Sequence, residues 1–131
     1  ADVLPFCREH SIGVIVYSPL EQGLLTGKVT MDRAFAEGDY RGGQPWFQPA
    51  NRRRVLDALE KMKPIAAAHK ATLGQVTIAW TVAQPGVTAA IVGARTPEQA
   101  RENARAADLQ LSAAELQTIR KLFDDLGKPL A

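Results

Sequence analysis

Cysteine is nearly absent from this sequence, and long apolar runs are missing altogether. Cys7 is the only cysteine among 131 residues, so an intrachain disulfide cannot form. No apolar run approaches the roughly 20 residues that a membrane-spanning helix requires, and no signal-like segment opens the chain. We therefore expect a cytoplasmic protein, in a reducing compartment and without a membrane partner.

A strong excess of one charge is also lacking. The 16 basic and 14 acidic residues leave a net charge of +2, which is too small to attract nucleic acid or a membrane surface. His10 and His69 are the only histidines, and neither belongs to a cluster with metal-ligand spacing, so we predict no metal site. We expect His10 to contact the terminal carbonyls of a helix and His69 to face solvent.

What the sequence does contain is a globular composition, 46% hydrophobic, in which strands and helices alternate. Apolar runs predict strands at 14–17 and 87–92. Apolar spacing and capping residues predict helices at 2–10, 51–70, 72–83 and 96–107, and a last one that Ser112 caps and Gly127 ends. Two strands separated by helices are expected to be neighbours in a parallel sheet. A two-stranded parallel sheet is a poor independent core, so the pattern requires further strands.

The middle of the chain is less regular. Residues 29–50 are polar and rich in Gly and Pro, with no convincing period, and loops of this length are usually functional lids or disordered. Pro64 is expected to kink the helix over 51–70 or to divide it in two. The run of arginines at 52–54 is expected to be a solvated helix start.

A turn that suits an anionic ligand follows each predicted strand. In the first, the amides of the glycine-containing loop 18–28 could wrap a pyrophosphate, to which Ser18 adds a hydroxyl and Lys28 a charge. In the second, Gly93 permits close backbone approach, Arg95 could form paired hydrogen bonds with a phosphate, and unpaired amides at the helix start attract anions.

Each turn taken alone has an ordinary alternative. The first could be a connecting loop whose glycines only satisfy turn geometry, and it is not a Walker loop, because Val29 follows Lys28. The second could be a solvated, well-capped helix with a surface arginine. Together they are stronger, because the loops after strands 7 and 8 of (β/α)8 enzymes often build a phosphate site.

The two motifs, in this order, resemble the aldo-keto reductase superfamily and, most of all, its bacterial branch related to potassium-channel beta subunits. The matching stretches are Y-S-P-L-x-x-G-L-L-T-G-K at 17–28, T-L-G-Q-V-T-I-A-W-T-V-A-Q-P-G-V at 72–87 and I-V-G-A-R-T-P-E-Q-A-R-E-N at 91–103. The resemblance covers nearly the whole chain. It implies an α/β fold, the carboxy-terminal part of a (β/α)8 TIM barrel that is incomplete on its own, with residues 1–131 as one fragment of a single domain.

The resemblance also implies a site for NADP(H). The pyrophosphate and ribose part of the cofactor would be lined by Ser18, Pro19, Leu20, Gly23 and Lys28. The adenosine 2′-phosphate would be held by Gly93 and Arg95, which favours NADPH over NADH. The adenine or its ribose would contact Gln99, Glu102 and Asn103. The segment 29–50 could fold over the cofactor or form part of the substrate pocket.

The activity implied for the full-length parent is NADPH-dependent reduction of an aldehyde or ketone to an alcohol. The catalytic tyrosine, its lysine, aspartate and histidine, and the residue that stacks on the nicotinamide are expected before residue 1, in the missing amino-terminal part of the barrel. The chain alone should therefore be inactive, and no residue here is assigned catalysis. Two alternatives remain: a non-catalytic NADP-sensing or regulatory subunit on the same fold, and a helix-turn-helix nucleic-acid-binding module over 51–84, against which the near-neutral charge argues.

Overall fold

A computed structural model describes residues 2–130, which contain two strands and five α-helices joined by short 3-10 helices. The strands are β1, Ile15–Tyr17, and β2, Ala89–Ile91. The α-helices are α1, Val3–Glu9, α2, Pro49–Ala68, α3, Leu73–Val82, α4, Pro97–Ala104, and α5, Ala113–Asp124. The 3-10 helices are Glu21–Thr26, Tyr40–Gly43, Pro45–Phe47 and Arg105–Asp108. The predicted order of strands and helices is therefore confirmed for the part of the chain that the structure describes.

The two strands form a parallel pair, as the strand–helix–strand order predicts. Ile15, Val16 and Tyr17 pair with Ala89, Ala90 and Ile91. One face of this sheet is open, because Ile15, Tyr17 and Ile91 are 63%, 82% and 62% exposed. Val16 and Ala90 point the other way and are half-buried. The sheet thus presents an apolar face that residues 2–130 do not cover.

The hydrophobic core lies between the helices rather than on the sheet. Its largest fully buried side chains come from α2, α3, α5 and the loops, and include Phe47, Leu24, Leu59, Met62, Ile119 and Val76. The start of α3 has the predicted capping box, in which Thr72 Oγ1 accepts from the Gln75 amide at 3.2 Å and Gln75 Oε1 accepts from the Thr72 amide at 2.9 Å. Ser112 and Glu115 cap α5 in the same way.

Helix α2 is not divided at Pro64. We expected this proline to kink the helix or to divide it in two, and Pro49–Ala68 is one continuous α-helix that contains it. Proline has no amide hydrogen, so the carbonyl of Glu60 loses its helical donor. Pro64 and Glu60 both lie on the exposed side, where water can solvate that carbonyl, while Met62 and Ala66 remain packed in the core.

Two predictions of solvent exposure were wrong. Arg52, expected in a solvated helix start, is only 6% exposed and donates to backbone carbonyls of the preceding loop. His69, expected to face solvent, has a side chain 23% exposed, with its Nε2 2.8 Å from Glu115 Oε1. His10 is as predicted, because its Nδ1 lies 3.0 Å from the Phe6 carbonyl oxygen.

Neither a membrane span nor a metal cluster is found in the described chain. No helix within residues 2–130 combines the length and apolarity that crossing a bilayer would need. In the same residues, no group of three or more His, Cys, Asp or Glu side chains is placed to hold a metal ion.

Candidate functional site

A cleft of about 830 Å³ opens at the carboxyl ends of the two strands. Because parallel strands end at the same edge of a sheet, the turn after β1 and the turn after β2 meet there. All the residues that the sequence assigned to a cofactor line this one cleft: Ser18, Pro19, Leu20, Gly23, Lys28, Gly93, Arg95, Gln99, Glu102 and Asn103. The two turns lie side by side, as a single extended ligand would require.

The turn after β1 has an unusual backbone. Ser18, Glu21 and Gln22 have φ of 51°, 43° and 52°, and Gly23 has φ of 94°. A non-glycine residue in this left-handed region costs on the order of 1–3 kcal/mol, and such conformations concentrate at ligand sites. The turn is held by its own hydrogen bonds: the Glu21 amide donates to the Ser18 carbonyl at 2.9 Å, and the Gly23 amide to the Leu20 carbonyl at 3.0 Å.

Lys28 reaches across the cleft to helix α4. Its Nζ lies 3.7 Å from Glu102 Oε2, with the lysine side chain 67% exposed. Glu102 is tied in turn to the start of α3, since its Oε1 accepts from Thr72 Oγ1 at 3.2 Å and its carbonyl from Gln75 Nε2 at 2.8 Å. So exposed an ion pair contributes little stability, which leaves Lys28 free to exchange Glu102 for another anion.

The turn after β2 is held by the side chains of Gln99 and Asn103 on α4 and of Thr96, which caps that helix. We expected unpaired amides at the helix start, and two amides of this turn are paired: the Arg95 amide donates to Gln99 Oε1 at 2.8 Å and the Gln99 amide to Thr96 Oγ1 at 3.3 Å. Asn103 Nδ2 donates to the Gly93 carbonyl at 3.2 Å. Gln99 and Asn103, which we expected to face a purine, thus also hold this turn in shape.

What remains available for an anion in the second turn is the Arg95 side chain. Arg95 is exposed, and within residues 2–130 no carboxylate lies within 4.0 Å of its guanidinium. A Cβ added at Gly93 would meet no atom within 4 Å, so the backbone beside Arg95 is open to a ligand.

One wall of the cleft comes from residues 29–41, within the segment 29–50 that we expected to fold over the cofactor or to form part of the substrate pocket. Its lining residues include Val29, Arg33, Gly38, Asp39, Tyr40 and Arg41. Arg41 forms a bidentate ion pair with Asp39, in which Nε donates to Oδ1 at 2.9 Å and Nη2 donates to Oδ2 at 2.6 Å. The hydrogen bond from Arg41 lowers the pKa of Asp39 from 3.8 to about 2. No periodic pattern marks this segment, so its lining residues could not be assigned one by one from the sequence.

The parallel strand pair with its flanking helices, and a cleft at the carboxyl ends of the strands, are features of part of a (β/α)8 barrel. The model of the aldo/keto reductase family matches residues 1–124. The chain belongs to the aldo/keto reductase family, as the motif resemblance indicated.

Curated relatives are aligned over nearly all of this chain. It is 40% identical over 127 residues to the NADH-specific methylglyoxal reductase of Escherichia coli, an alignment that covers 97% of this chain and 38% of that protein. It is 35% identical over 123 residues to an aldo-keto reductase of Schizosaccharomyces pombe named with NADP(+), covering 94% and 36%. A probable voltage-gated potassium channel subunit beta of Arabidopsis thaliana is 38% identical over 116 residues, covering 82% and 34%.

Solved structures agree on the architecture. The glycerol dehydrogenase of Gluconobacter oxydans superimposes with a TM-score of 0.88 at 27% identity, over 99% of this chain and 40% of that one. The chain therefore spans about two fifths of the length of the relatives it matches. Its fold is part of a (β/α)8 barrel, which accounts for the uncovered face of the sheet.

Proposed function

We propose that this chain forms the site for the phosphates and adenosine of NADPH in a carbonyl reductase that converts an aldehyde or ketone to an alcohol. The observation that carries the proposal is the meeting of the Ser18 and Arg95 turns in one cleft of about 830 Å³. NADPH has two anionic centres, its pyrophosphate and its adenosine 2′-phosphate, and the cleft has a cationic side chain for each, Lys28 and Arg95.

The residues present fit such a cofactor. Lys28 is mobile enough to leave Glu102 for a pyrophosphate oxygen, because the pair is long and exposed. The guanidinium of Arg95 offers paired donors that match a phosphate. The cofactor, when bound, would supply a hydride to the substrate carbonyl. The role of this chain is to bind and orient the cofactor, and we assign no proton transfer to any of its residues.

Preference for NADPH follows from Arg95, which has no carboxylate partner among the described residues. The relatives differ on this point, one being named NADH-specific and another NADP(+). An arginine beside the 2′ position of the ribose forms charge-assisted hydrogen bonds with a phosphate there and interacts much more weakly with a hydroxyl. We therefore expect this protein to bind NADPH more tightly than NADH.

The test is Arg95→Ala in the longer protein that carries this chain. Loss of a charge-assisted contact costs roughly 1.5–3 kcal/mol, so the Kd for NADPH should rise roughly ten- to hundredfold while that for NADH changes little. Fluorescence titration with both cofactors measures this. Arg101→Ala is the matched control, since Arg101 lies on α4, the helix that follows the Arg95 turn, and is exposed but does not line the cleft. Equal losses for both cofactors would contradict the assignment.

The same cofactor titrations also test whether the ring of Tyr17 contacts the cofactor. The resemblance implied that the residue stacking on the nicotinamide precedes residue 1, yet Tyr17 ends β1 next to Ser18, 82% exposed on the face of the sheet that residues 2–130 leave uncovered. We expect Tyr17→Ala to weaken NADPH and NADH alike and Tyr17→Phe to weaken neither, because the ring face, not the hydroxyl, would contact the cofactor. If Tyr17→Ala binds both cofactors as the wild type does, Tyr17 does not stack on the nicotinamide, and the expectation of an upstream residue stands.

A non-catalytic NADP-binding subunit is the second candidate, favoured by the potassium-channel relative. It has the same cofactor site, so binding cannot separate the two functions. Turnover can: a reductase consumes NADPH when methylglyoxal is added to the longer protein, and a sensor does not.

A further inference from the structure

The segment 29–47, whose residues 29–41 form the wall of the cleft, is held by one buried side chain, Arg52 of helix α2. Arg52 donates to four backbone carbonyl oxygens of this segment, those of Phe47, Thr30, Met31 and Arg33, at distances of 2.7–3.2 Å. Within residues 2–130 it has no carboxylate partner, although its residue is 6% exposed. A buried guanidinium without a counter-ion is costly unless its donors are satisfied, so Arg52 and the folded form of the segment depend on one another.

Phe35 joins this anchor to the surface of the cleft. The guanidinium carbon of Arg52 lies 5.2 Å from the centre of the Phe35 ring, and that of Arg41 lies 5.1 Å from it. Phe47 meets the same ring edge-on, with centroids 5.4 Å apart and planes at 82°. Arg41 in turn is fixed by Asp39 and lies in the lining of the cleft. Arg52 therefore contacts the cleft lining indirectly, through the Phe35 ring that packs against Arg41.

We propose that Arg52 is a positioning residue that holds residues 29–47 as a preformed wall of the cofactor cleft, and that the affinity of the cleft depends on it although Arg52 does not line the cleft. This inference rests on the proposed function. Of the two roles expected for residues 29–50, a cover over the cofactor or a part of the pocket, it favours the second, with a wall whose shape is set before the ligand binds. A preformed wall avoids the cost of ordering a loop on binding.

Arg52→Met, which keeps the volume but removes the donors, is the first test in the longer protein. Arg53→Met is its matched control, because Arg53 is adjacent, exposed and outside the cleft. We expect the Kd for NADPH to rise about tenfold in Arg52→Met, because the unanchored segment must then be ordered when the cofactor binds. A tenfold change in Kd corresponds to about 1.4 kcal/mol. We expect amide hydrogen exchange to accelerate in residues 29–47 but not in α3.

Kinetics separate positioning from a loss of folded protein. If Arg52 positions the wall, Arg52→Met raises the KM for NADPH and leaves kcat at saturating NADPH within about twofold. If it only supports the fold, kcat per total protein falls with the folded fraction while KM stays unchanged, and this result would overturn the inference.

Arg52→Lys keeps the inference testable should Arg52→Met fail to fold. It keeps the positive charge but replaces the forked guanidinium with one ammonium group, which cannot reproduce the donors to all four carbonyls. A raised KM with faster exchange in 29–47 supports the inference, and wild-type values contradict it. If the wild-type protein binds neither NADPH nor NADH, the proposed function fails instead. If it binds and Arg52→Met equals Arg53→Met, only the present inference fails.

Discussion

At the scale of single residues, the site depends on side chains whose partners lie far away in sequence. Arg52 bonds to carbonyls 19–22 residues before it, and His69 meets Glu115, 46 residues later. The exposure of each was mispredicted because a helix start rich in arginine and a histidine in a helix tail are usually solvated, and no local spacing reports a distant partner. The residues of the two turns were recognised because glycine, a capping threonine and a strand end are local features.

Asp39 gives a prediction about pH. Its folded pKa, about 2, lies below the ordinary 3.8 because Arg41 donates to its carboxylate. A depressed pKa means that the ionised group stabilises the fold, fully at pH values above 3.8, and that this contribution is lost as the pH falls toward about 2. Asp39→Asn cannot titrate. The stability difference between wild type and Asp39→Asn should therefore be constant above about pH 4 and shrink below it.

Urea unfolding midpoints between about pH 6 and pH 2.5 measure that difference. Gln117→Ala, an exposed and uncharged position on α5, is the control and should show a difference independent of pH. A gap between wild type and Asp39→Asn that stays constant, or widens in acid, would mean that the bidentate ion pair with Arg41 does not form.

At the scale of elements, most of the fold follows from local signals. The capping boxes at Thr72 and Ser112 locate the starts of α3 and α5, because each satisfies amides that the helix leaves open. The irregular segment at 29–47 could not be predicted, because its order comes from Arg52 and Phe35 rather than from a repeating pattern. Helix α2 shows the opposite case: a strong local signal, Pro64, does not divide the helix, and Met62 and Ala66 on either side of it are buried in the core.

We therefore predict that Pro64 lowers the free energy of unfolding without preventing α2 from forming. Proline inside a helix costs about 3 kcal/mol relative to alanine, and its restriction of the unfolded chain returns up to about 1 kcal/mol. Pro64→Ala should restore the hydrogen bond to the Glu60 carbonyl and raise the free energy of unfolding by about 2 kcal/mol, measured by urea denaturation. Lys61→Ala, exposed on the same helix, should change it by less than about 0.5 kcal/mol. No gain in Pro64→Ala would show that the Glu60 carbonyl is already satisfied.

At the scale of the whole molecule, the open face of the sheet is the feature that we expect to govern self-association of residues 1–131. Ile15, Tyr17 and Ile91 are exposed together, and within residues 2–130 each strand pairs only with the other, so both sheet edges are free. Exposed apolar faces and free edges both favour association. In a (β/α)8 barrel the same face is covered by side chains from the other strands. One surface thus has two opposite environments, depending on whether the rest of the barrel is present.

This contrast yields a prediction whose sign depends on context. In residues 1–131 expressed alone, Ile15→Lys with Ile91→Lys should reduce the rise of sedimentation-derived mass with concentration, because two lysines interrupt the apolar face. Leu130→Lys, at another exposed apolar position, should have little effect. In the longer protein the same pair would bury two charges in the barrel interior, at a cost of several kcal/mol each, and should prevent folding. If the longer protein tolerates both lysines with an unchanged melting temperature, the face is not enclosed by other strands, and the assignment of residues 1–131 to the last units of a closed barrel is wrong.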